Sequence, residues 1–133
     1  MNAPTVDVKD ILVADSSLGL LFAKNLFIGA EPIKPDFCVT LFDGYGMPPQ
    51  LNLSDQGYEY PSINIRVRAL DYVTGWNLID AIKNSLHGRN AEVWNDTLYT
   101  VIYCASGPAL LDHDENSRAR FILNINLQRR ENI

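Results

Sequence analysis

The sequence predicts an α+β fold, in which a mainly antiparallel sheet carries two helices packed on one of its faces. Apolar residues recur at helical spacing in two segments, and they alternate with polar residues or cluster as β-formers in several others. The resulting order is one helix, three strands, a second helix and two or three strands, which is typical of a sheet covered on one side. The 133 residues match one domain, so we expect a single domain over residues 1–133.

Composition and charge exclude several classes of protein. With 47% hydrophobic and 20% charged residues, the chain is too apolar to be disordered. Eleven Lys and Arg against 16 Asp and Glu give a net charge of −5, which argues against a general nucleic-acid binder. No run approaches the ~20 apolar residues that cross a bilayer, and the N-terminal residues lack a secretory signal pattern. We therefore expect no membrane contact, synthesis in a cytoplasm and two reduced cysteines.

The first helix is predicted over residues 5–17. Thr5 is placed to cap its start, and Gly19 follows as a natural stop. The apolar positions fall on one side of this helix: Val8, Ile11 and Leu12. Residues 20–28 are apolar without clean alternation, and we predict that they form the first strand.

A connector, a second strand and a long loop follow. Residues 29–36 contain Pro32 and Pro35 and cannot continue a β-ladder, so they predict an ordered connector. Residues 37–42 are rich in β-formers and predict a strand. Residues 43–60 are irregular but too apolar for a mere linker, since they include Tyr45, Met47, Leu51, Leu53 and Tyr58. This loop either packs on its own domain or contacts a partner, and the sequence leaves both alternatives open.

Residues 62–69 give the clearest strand signal. One face is apolar, with Ile63, Ile65, Val67 and Ala69, and the other is polar and basic, with Ser62, Asn64, Arg66 and Arg68. Asp71 then caps a helix predicted over residues 72–87, whose apolar stripe is Tyr72, Trp76, Ile79, Ile82 and Leu86. Gly75 inside this helix costs roughly 1 kcal/mol relative to Ala, which predicts a close approach by a neighbour. Gly88 ends the helix.

The rest of the chain predicts strands and one further loop. Residues 91–94 and 98–105 are expected to form a strand pair, and residues 109–118 a polar loop. Residues 120–129 alternate and predict the last strand, with Phe121, Leu123, Ile125 and Leu127 facing the core. We expect residues 129–133 to form a frayed tail.

Neither histidine is placed for catalysis. His87 lies at the end of the second helix, where a cation interacts favourably with the helix dipole. His113 lies in the acidic run 112–116, which echoes the first ligand positions of a calcium loop. The twelfth position would be Leu123 in place of the bidentate Glu, so this run predicts a solvated loop.

Other catalytic or cofactor signals are equally weak. Cys38 lies in an apolar strand, where a buried thiol is unreactive. The sequence has no glycine-rich phosphate loop, nucleophile elbow or zinc-ligand spacing, so we expect no enzyme activity, cofactor or metal. Asn64, Arg66 and Arg68 could contact a phosphate backbone, but no aromatic residues interleave with them. A solvated or subunit-facing surface is the favoured interpretation of these basic residues.

Several segments in order carry a family resemblance. They are a helix at 6–17, Asn-Leu-Phe-Ile-Gly at 25–29, Cys-Val-Thr-Leu-Phe at 38–42, Gly-Met-Pro-Pro at 46–49, a Pro-led strand at 60–68, and the helix ends at 71–72 and 86–88. Together they resemble the phage minor capsid or tail-completion proteins, the tail terminators of long-tailed phages. The resemblance spans nearly the whole chain, and the last strand matches in pattern only.

The resemblance implies a structural protein of the virion, located at the junction of head and tail. Tail terminators cap the tail tube once it reaches full length and present a surface to the neck of the filled head. They generally form a six-fold ring through which DNA passes without specific binding. The implied partners are further copies of the chain, the tail tube protein and a head-completion or neck protein.

The contact residues can be predicted on this basis. Tyrosine and methionine suit interface cores, and a proline pair lowers the entropy lost on ordering a loop. We predict contacts at Tyr45, Met47, Pro48, Pro49, Tyr58, Arg66, Arg68, Asp112, Asp114 and Glu115. We also expect acidic residues of the loops to line the bore, because like charge keeps DNA from adhering.

Two alternatives to the terminator function remain open. A head-closure or neck adaptor protein can share this size and shape. A non-viral α+β module could instead bind a small ligand in the loop at residues 43–60, which would require a concave pocket with converging polar groups.

Overall fold

The computed structural model describes residues 1–50 and 57–132. Leu51 and Leu53, two of the apolar residues in the predicted loop at residues 43–60, lie outside these ranges. The elements are α1 Pro4–Ala14, a short 3₁₀ helix Ser16–Leu18, β1 Leu26–Ile28, β2 Cys38–Asp43, β3 Ser62–Ala69, α2 Tyr72–Leu86, β4 Arg89–Trp94, β5 Thr97–Cys104, β6 Ala109–His113 and β7 Ala119–Glu131.

In these described ranges, seven strands form one sheet in the order β1-β2-β3-β7-β5-β4, and β6 also pairs with β7. All pairs are antiparallel except β1 with β2. Strand β7 pairs with β3 along one edge, while β6 and β5 lie end to end along its other edge. The thirteen-residue β7 is therefore the central strand of the fold.

Both helices cover the same face of the sheet, which confirms the predicted fold class. Val8, Ile11 and Leu12 of α1 and Ile79, Ile82 and Leu86 of α2 belong to one buried cluster. Their partners are the alternate apolar residues that the sequence assigns to the inner face of β3 and β7. One continuous core between helices and sheet thus stabilises the domain.

The second helix matches its predicted start and packing. The carboxylate of Asp71 accepts a hydrogen bond from the backbone N–H of Thr74 at 3.2 Å. Gly75 is buried against the ring of Phe121, which explains a glycine in the helix interior. Tyr72 departs from the predicted stripe, since its side chain is 52% exposed and only its ring touches Phe121, at 5.1 Å between centroids.

The first helix and the first strand are shorter than predicted. Helix α1 begins at Pro4, so Thr5 is a buried helical residue and does not cap it. The predicted strand over residues 20–28 is wrong before Leu26. There the side chain of Asn25 accepts from the Leu21 N–H at 2.7 Å and donates to the Gly19 carbonyl at 3.1 Å, which closes a turn.

Two expectations about the C-terminal third are wrong. The predicted loop at residues 109–118 contains β6, because its backbone pairs with β7. Only residues 114–118 turn, and there the carboxylate of Asp114 accepts the backbone N–H groups of Asn116 and Arg118. The predicted frayed tail is in fact strand as far as Glu131, and Arg129 is buried.

The contact at Gly75 predicts a measurable loss of stability. A Cβ added there would lie 2.5 Å from Cε2 of the fully buried Phe121 ring, so Gly75→Ala requires core atoms to shift. We expect a net loss of roughly 1–3 kcal/mol in the free energy of unfolding, in spite of the better helix propensity of alanine. Urea unfolding followed by circular dichroism measures this. Gly107→Ala is the control, since a Cβ there meets nothing within 4 Å; equal stabilities of the two variants would contradict the packing argument.

Candidate interaction surfaces

The face of the sheet that points away from the helices is polar, as predicted, but it is not all solvated. Arg68 was expected on an open face, yet its side chain is only 2% exposed. The connector, which spans residues 29–37 between β1 and β2 in the structure, folds over the side chain of Arg68. This face therefore holds a buried set of charges that positions the connector.

Arg68 binds both a carboxylate and the connector backbone. Its Nη1 lies 3.2 Å from Oε1 of Glu31, and its Nη2 donates to the carbonyl of Pro35 at 2.7 Å. The same Nη2 donates to the carbonyl of Ile33 at 3.3 Å. A guanidinium can satisfy several acceptors at once because its donors form a planar fork.

Two further arginines complete this set, which we call the arginine clamp: Arg68, Arg118 and Arg120 with Glu31, Asp36, Asp112 and Asp114. Arg118, 6% exposed, donates to the Ile33 carbonyl at 2.6 Å and pairs with Asp36 at 3.1 Å and with Asp114 at 2.8 Å. Arg120 contacts both carboxylate oxygens of Asp112 at 2.6 Å and Glu31 at 3.3 Å. The clamp ties the connector and the β6–β7 turn to the sheet.

The ion pairs shift the acidity of the clamp carboxylates. Hydrogen bonds from Arg120 hold the pKa of Asp112 below its ordinary value. Burial alone would raise the pKa of Asp114, but the backbone N–H and guanidinium of Arg118 lower it overall. Lys34 and then Arg118 lower the pKa of Asp36. Asp112 and Asp114, two predicted contact residues, are thus engaged within their own chain.

The sequence left open whether the loop after β2 packs on its own domain or contacts a partner, and the described part of the loop has features that fit each alternative. The backbone N–H of Gly46 donates to Ser62 Oγ at 2.9 Å, and that of Met47 donates to the Tyr60 carbonyl at 2.9 Å. The Tyr58 hydroxyl bonds to Thr100 Oγ1 and to Gln128, so Tyr58 packs on its own domain. The described loop is therefore anchored to the sheet.

The same loop presents apolar side chains to solvent. Tyr45 is fully exposed and Met47 is 70% exposed. Pro48 and Pro49 are also exposed. We call these four residues the loop surface. Of the other predicted contacts, Arg66 is half-buried with its guanidinium over the Phe42 ring at 4.8 Å, and Glu115 is exposed.

A second buried charge cluster was not predicted. Arg129 reaches Glu59 at 3.0 Å and Asp7 at 3.7 Å, and Tyr99 donates to the fully buried Asp7. Burial, followed by the bond to Asp7, raises the pKa of the Tyr99 hydroxyl. The signal was the position of Arg129, which continues the inward-facing alternation of Phe121 to Leu127 and so requires a buried partner.

The bacteriophage tail terminator protein family model matches residues 7–130. The chain belongs to this family. Its fold is also similar to that of a chain in the virion of a native gene transfer agent particle, with a TM-score of 0.67 and 14% identity over 96% of this chain and 95% of that chain. No curated protein sequence matches it significantly.

Family membership confirms the resemblance and makes this terminator family member a structural protein of the phage tail, located in the virion. The family is not a class of enzymes. Within residues 1–50 and 57–132, no three His, Cys, Asp or Glu side chains are grouped as a metal site requires. None of the helices in those residues has the length and apolarity to cross a membrane.

The structure gives the environment of both histidines and of Cys38 in this family member. Nδ1 of His87, at the end of the second helix, accepts the backbone N–H of Cys104 at 3.0 Å. Cys38 is buried, and burial raises the pKa of its thiol. His113 is exposed.

The clamp predicts a large effect of removing Arg68. In Arg68→Met the carbonyl of Pro35 loses its guanidinium donor, and Glu31 keeps only the contact with Arg120. We expect a loss of roughly 3–5 kcal/mol in the free energy of unfolding, the usual cost of breaking a buried ion pair from one side. Chemical denaturation measures it. Lys34→Met is the control, because the ion pair of Lys34 with Asp36 lies within the connector and Lys34 is 75% exposed, so its loss should cost under about 1 kcal/mol.

The lowered pKa values predict acid sensitivity. A carboxylate whose pKa is lower in the folded state stabilises that state above the unfolded pKa of about 3.9, and the contribution is lost as pH falls below it. We therefore expect the urea midpoint to drop between pH 4 and pH 2. Asp112→Asn should lower the midpoint at pH 7 and flatten its fall in acid, whereas Asp43→Asn should keep the wild-type profile, since exposed Asp43 forms no salt bridge with the described residues. Parallel profiles for wild type and Asp112→Asn would contradict this role.

Proposed function

We propose that copies of this chain form a ring, with six subunits as in the resemblance noted above, that caps the completed tail tube and joins it to the head or neck. The observation that carries this proposal is the loop surface. Tyr45 and Met47 are presented to solvent by a loop whose backbone is fixed to Ser62 and Tyr60. An apolar surface that is ordered in advance loses little entropy on binding, as an assembly contact requires.

The proposed passage of DNA through the ring is supported by the distribution of charge. At least eight of the eleven Lys and Arg form salt bridges with carboxylates of the described residues, namely Lys9, Lys34, Arg68, Lys83, Arg89, Arg118, Arg120 and Arg129. Exposed Asp43 and Glu115 form none with the described residues. The outward field is therefore acidic and repels phosphate. We propose that such loop carboxylates line the bore; an opening lined by arginines would contradict this.

The ligand-binding alternative is less well supported. A cavity of about 320 Å³ lies beside the loop, lined by residues that include Met47, Tyr60, Tyr103 and Gln128. The described residues that line it supply hydroxyl and amide groups and no charged side chain. The family match favours the terminator over this alternative.

The loop surface predicts a separation of assembly from folding. In the double variant Tyr45→Asp, Met47→Asp, the exposed carboxylates should prevent ring formation and change the free energy of unfolding by less than about 0.5 kcal/mol. Light scattering of the protein in solution and electron microscopy of tails measure ring formation, and thermal unfolding measures stability. Val93→Asp is the control, since Val93 is 48% exposed on β4. If the double variant unfolds, the loop serves only to pack on its own domain.

Particles that lack the protein discriminate the terminator from a neck adaptor. Without a terminator, we expect overlong tails with no heads attached, because nothing stops polymerisation of the tube. Loss of a neck protein would instead give tails of normal length and heads that have leaked their DNA. Negative-stain images of a knock-out lysate separate these outcomes, and the second outcome would overturn the proposed function.

A further inference from the structure

A second group of exposed apolar residues consists of Tyr72 and Leu110, which adjoin the buried ring of Phe121, and of Leu70 and Val73, which are close to Tyr72 in the chain. Leu70, Val73, Tyr72 and Leu110 are 67%, 64%, 52% and 40% exposed, and we call them the apolar rim. The Tyr72 ring packs edge-on against Phe121 at 5.1 Å, and Leu110 is the cross-strand partner of Phe121. Paired residues point to the same face of a sheet, so Tyr72 and Leu110 flank one aromatic ring.

The helix start does not require Tyr72 and Val73 to be apolar. Tyr72 and Val73 occupy the first helical positions after the Asp71 cap, where polar residues serve equally well. Contiguous apolar patches on a folded surface mark contact sites. The rim is therefore a candidate contact site.

The rim and the loop surface lie at opposite ends of β3. The loop surface is fixed beside Ser62, the first residue of that strand, and Leu70 directly follows Ala69, its last residue. Seven residue steps in a strand span about 23 Å. A loop surface on one copy can therefore approach only the rim of another copy.

We infer that the apolar rim receives the loop surface of the neighbouring copy in the ring, so that every subunit contact is head to tail. This inference rests on the proposed ring. Residues 44–50 carry no charge. Beside the rim, Asp112 is already paired with Arg120, and Asp71 accepts the Thr74 N–H. Two uncharged surfaces can thus meet without burying an unpaired charge.

Surface area and symmetry agree with a second copy as the occupant. A standard interface takes about 800 Å² from each partner, so two such contacts would cover roughly a fifth of the 7128 Å² surface of one subunit. Contacts between different surfaces are heterologous, and they close into a ring when the rotation between subunits allows it. Contacts of rim with rim, or loop with loop, would instead give closed dimers.

Mixing two defective variants tests the inference. The first is the loop variant Tyr45→Asp, Met47→Asp, and the second is Val73→Glu in the rim. Glutamate at Val73 lies in the first turn of α2, where negative charge is favourable, so this variant should fold. We expect each variant alone to lose all rings and stay monomeric. An equal mixture should form heterodimers of twice the monomer mass, because one intact rim meets one intact loop surface.

The controls separate failure of this inference from failure of the proposed function. Val93→Glu makes the same exchange on exposed β4 and should form rings as the wild type does, measured by light scattering in solution and by microscopy of tails. If Val73→Glu also forms normal rings, the rim assignment is overturned and the ring stands. If the mixture stays monomeric, or if either variant dimerises alone, head-to-tail contact is overturned. A wild-type chain that forms no ring in solution or on tails overturns the proposed function and this inference together.

Discussion

The continuous pairing of β7 is the constraint on which the rest of the structure depends. This strand shares its edges with β3, β5 and β6, and it connects the two buried charge clusters. At its start, Arg120 joins the arginine clamp, and Phe121 fills the space left by Gly75. Near its end, Arg129 binds Glu59 and the N-terminal helix through Asp7. Displacement of β7 would therefore disturb the core and both clusters together.

Most of the basic residues form ion pairs within the chain. Arg68 and Arg118 are almost fully buried, and their donors hold the backbone of a proline-containing connector that has no ladder of its own. Buried guanidinium groups need several acceptors, and the carbonyls of Ile33 and Pro35 supply them together with carboxylates. With 16 Asp and Glu against 11 Lys and Arg, the chain as a whole remains acidic.

Two groups of exposed apolar residues lie near the two ends of β3. Tyr45 and Met47 extend from an anchored loop, and Leu70 and Val73 flank a helix start. The core is already continuous without these side chains. A continuous core together with exposed apolar surfaces at opposite ends of a strand agrees with the proposed assembly of the chain into a ring.

The sequence by itself determined the fold class, the second helix with its Asp71 cap, the close approach at Gly75 and the family, because these depend on local periodicity and on motifs in order. It did not reveal β6, the extended end of β7 or the burial of Arg68. Backbone pairing across the sheet stabilises β6 although its own residues resemble a loop, and an arginine on the polar face of a strand has the same local pattern whether it meets water or a carboxylate. Only the tertiary structure decided these points, since the partners of Arg68 and Arg129 lie tens of residues away in the chain and a local pattern carries no record of them.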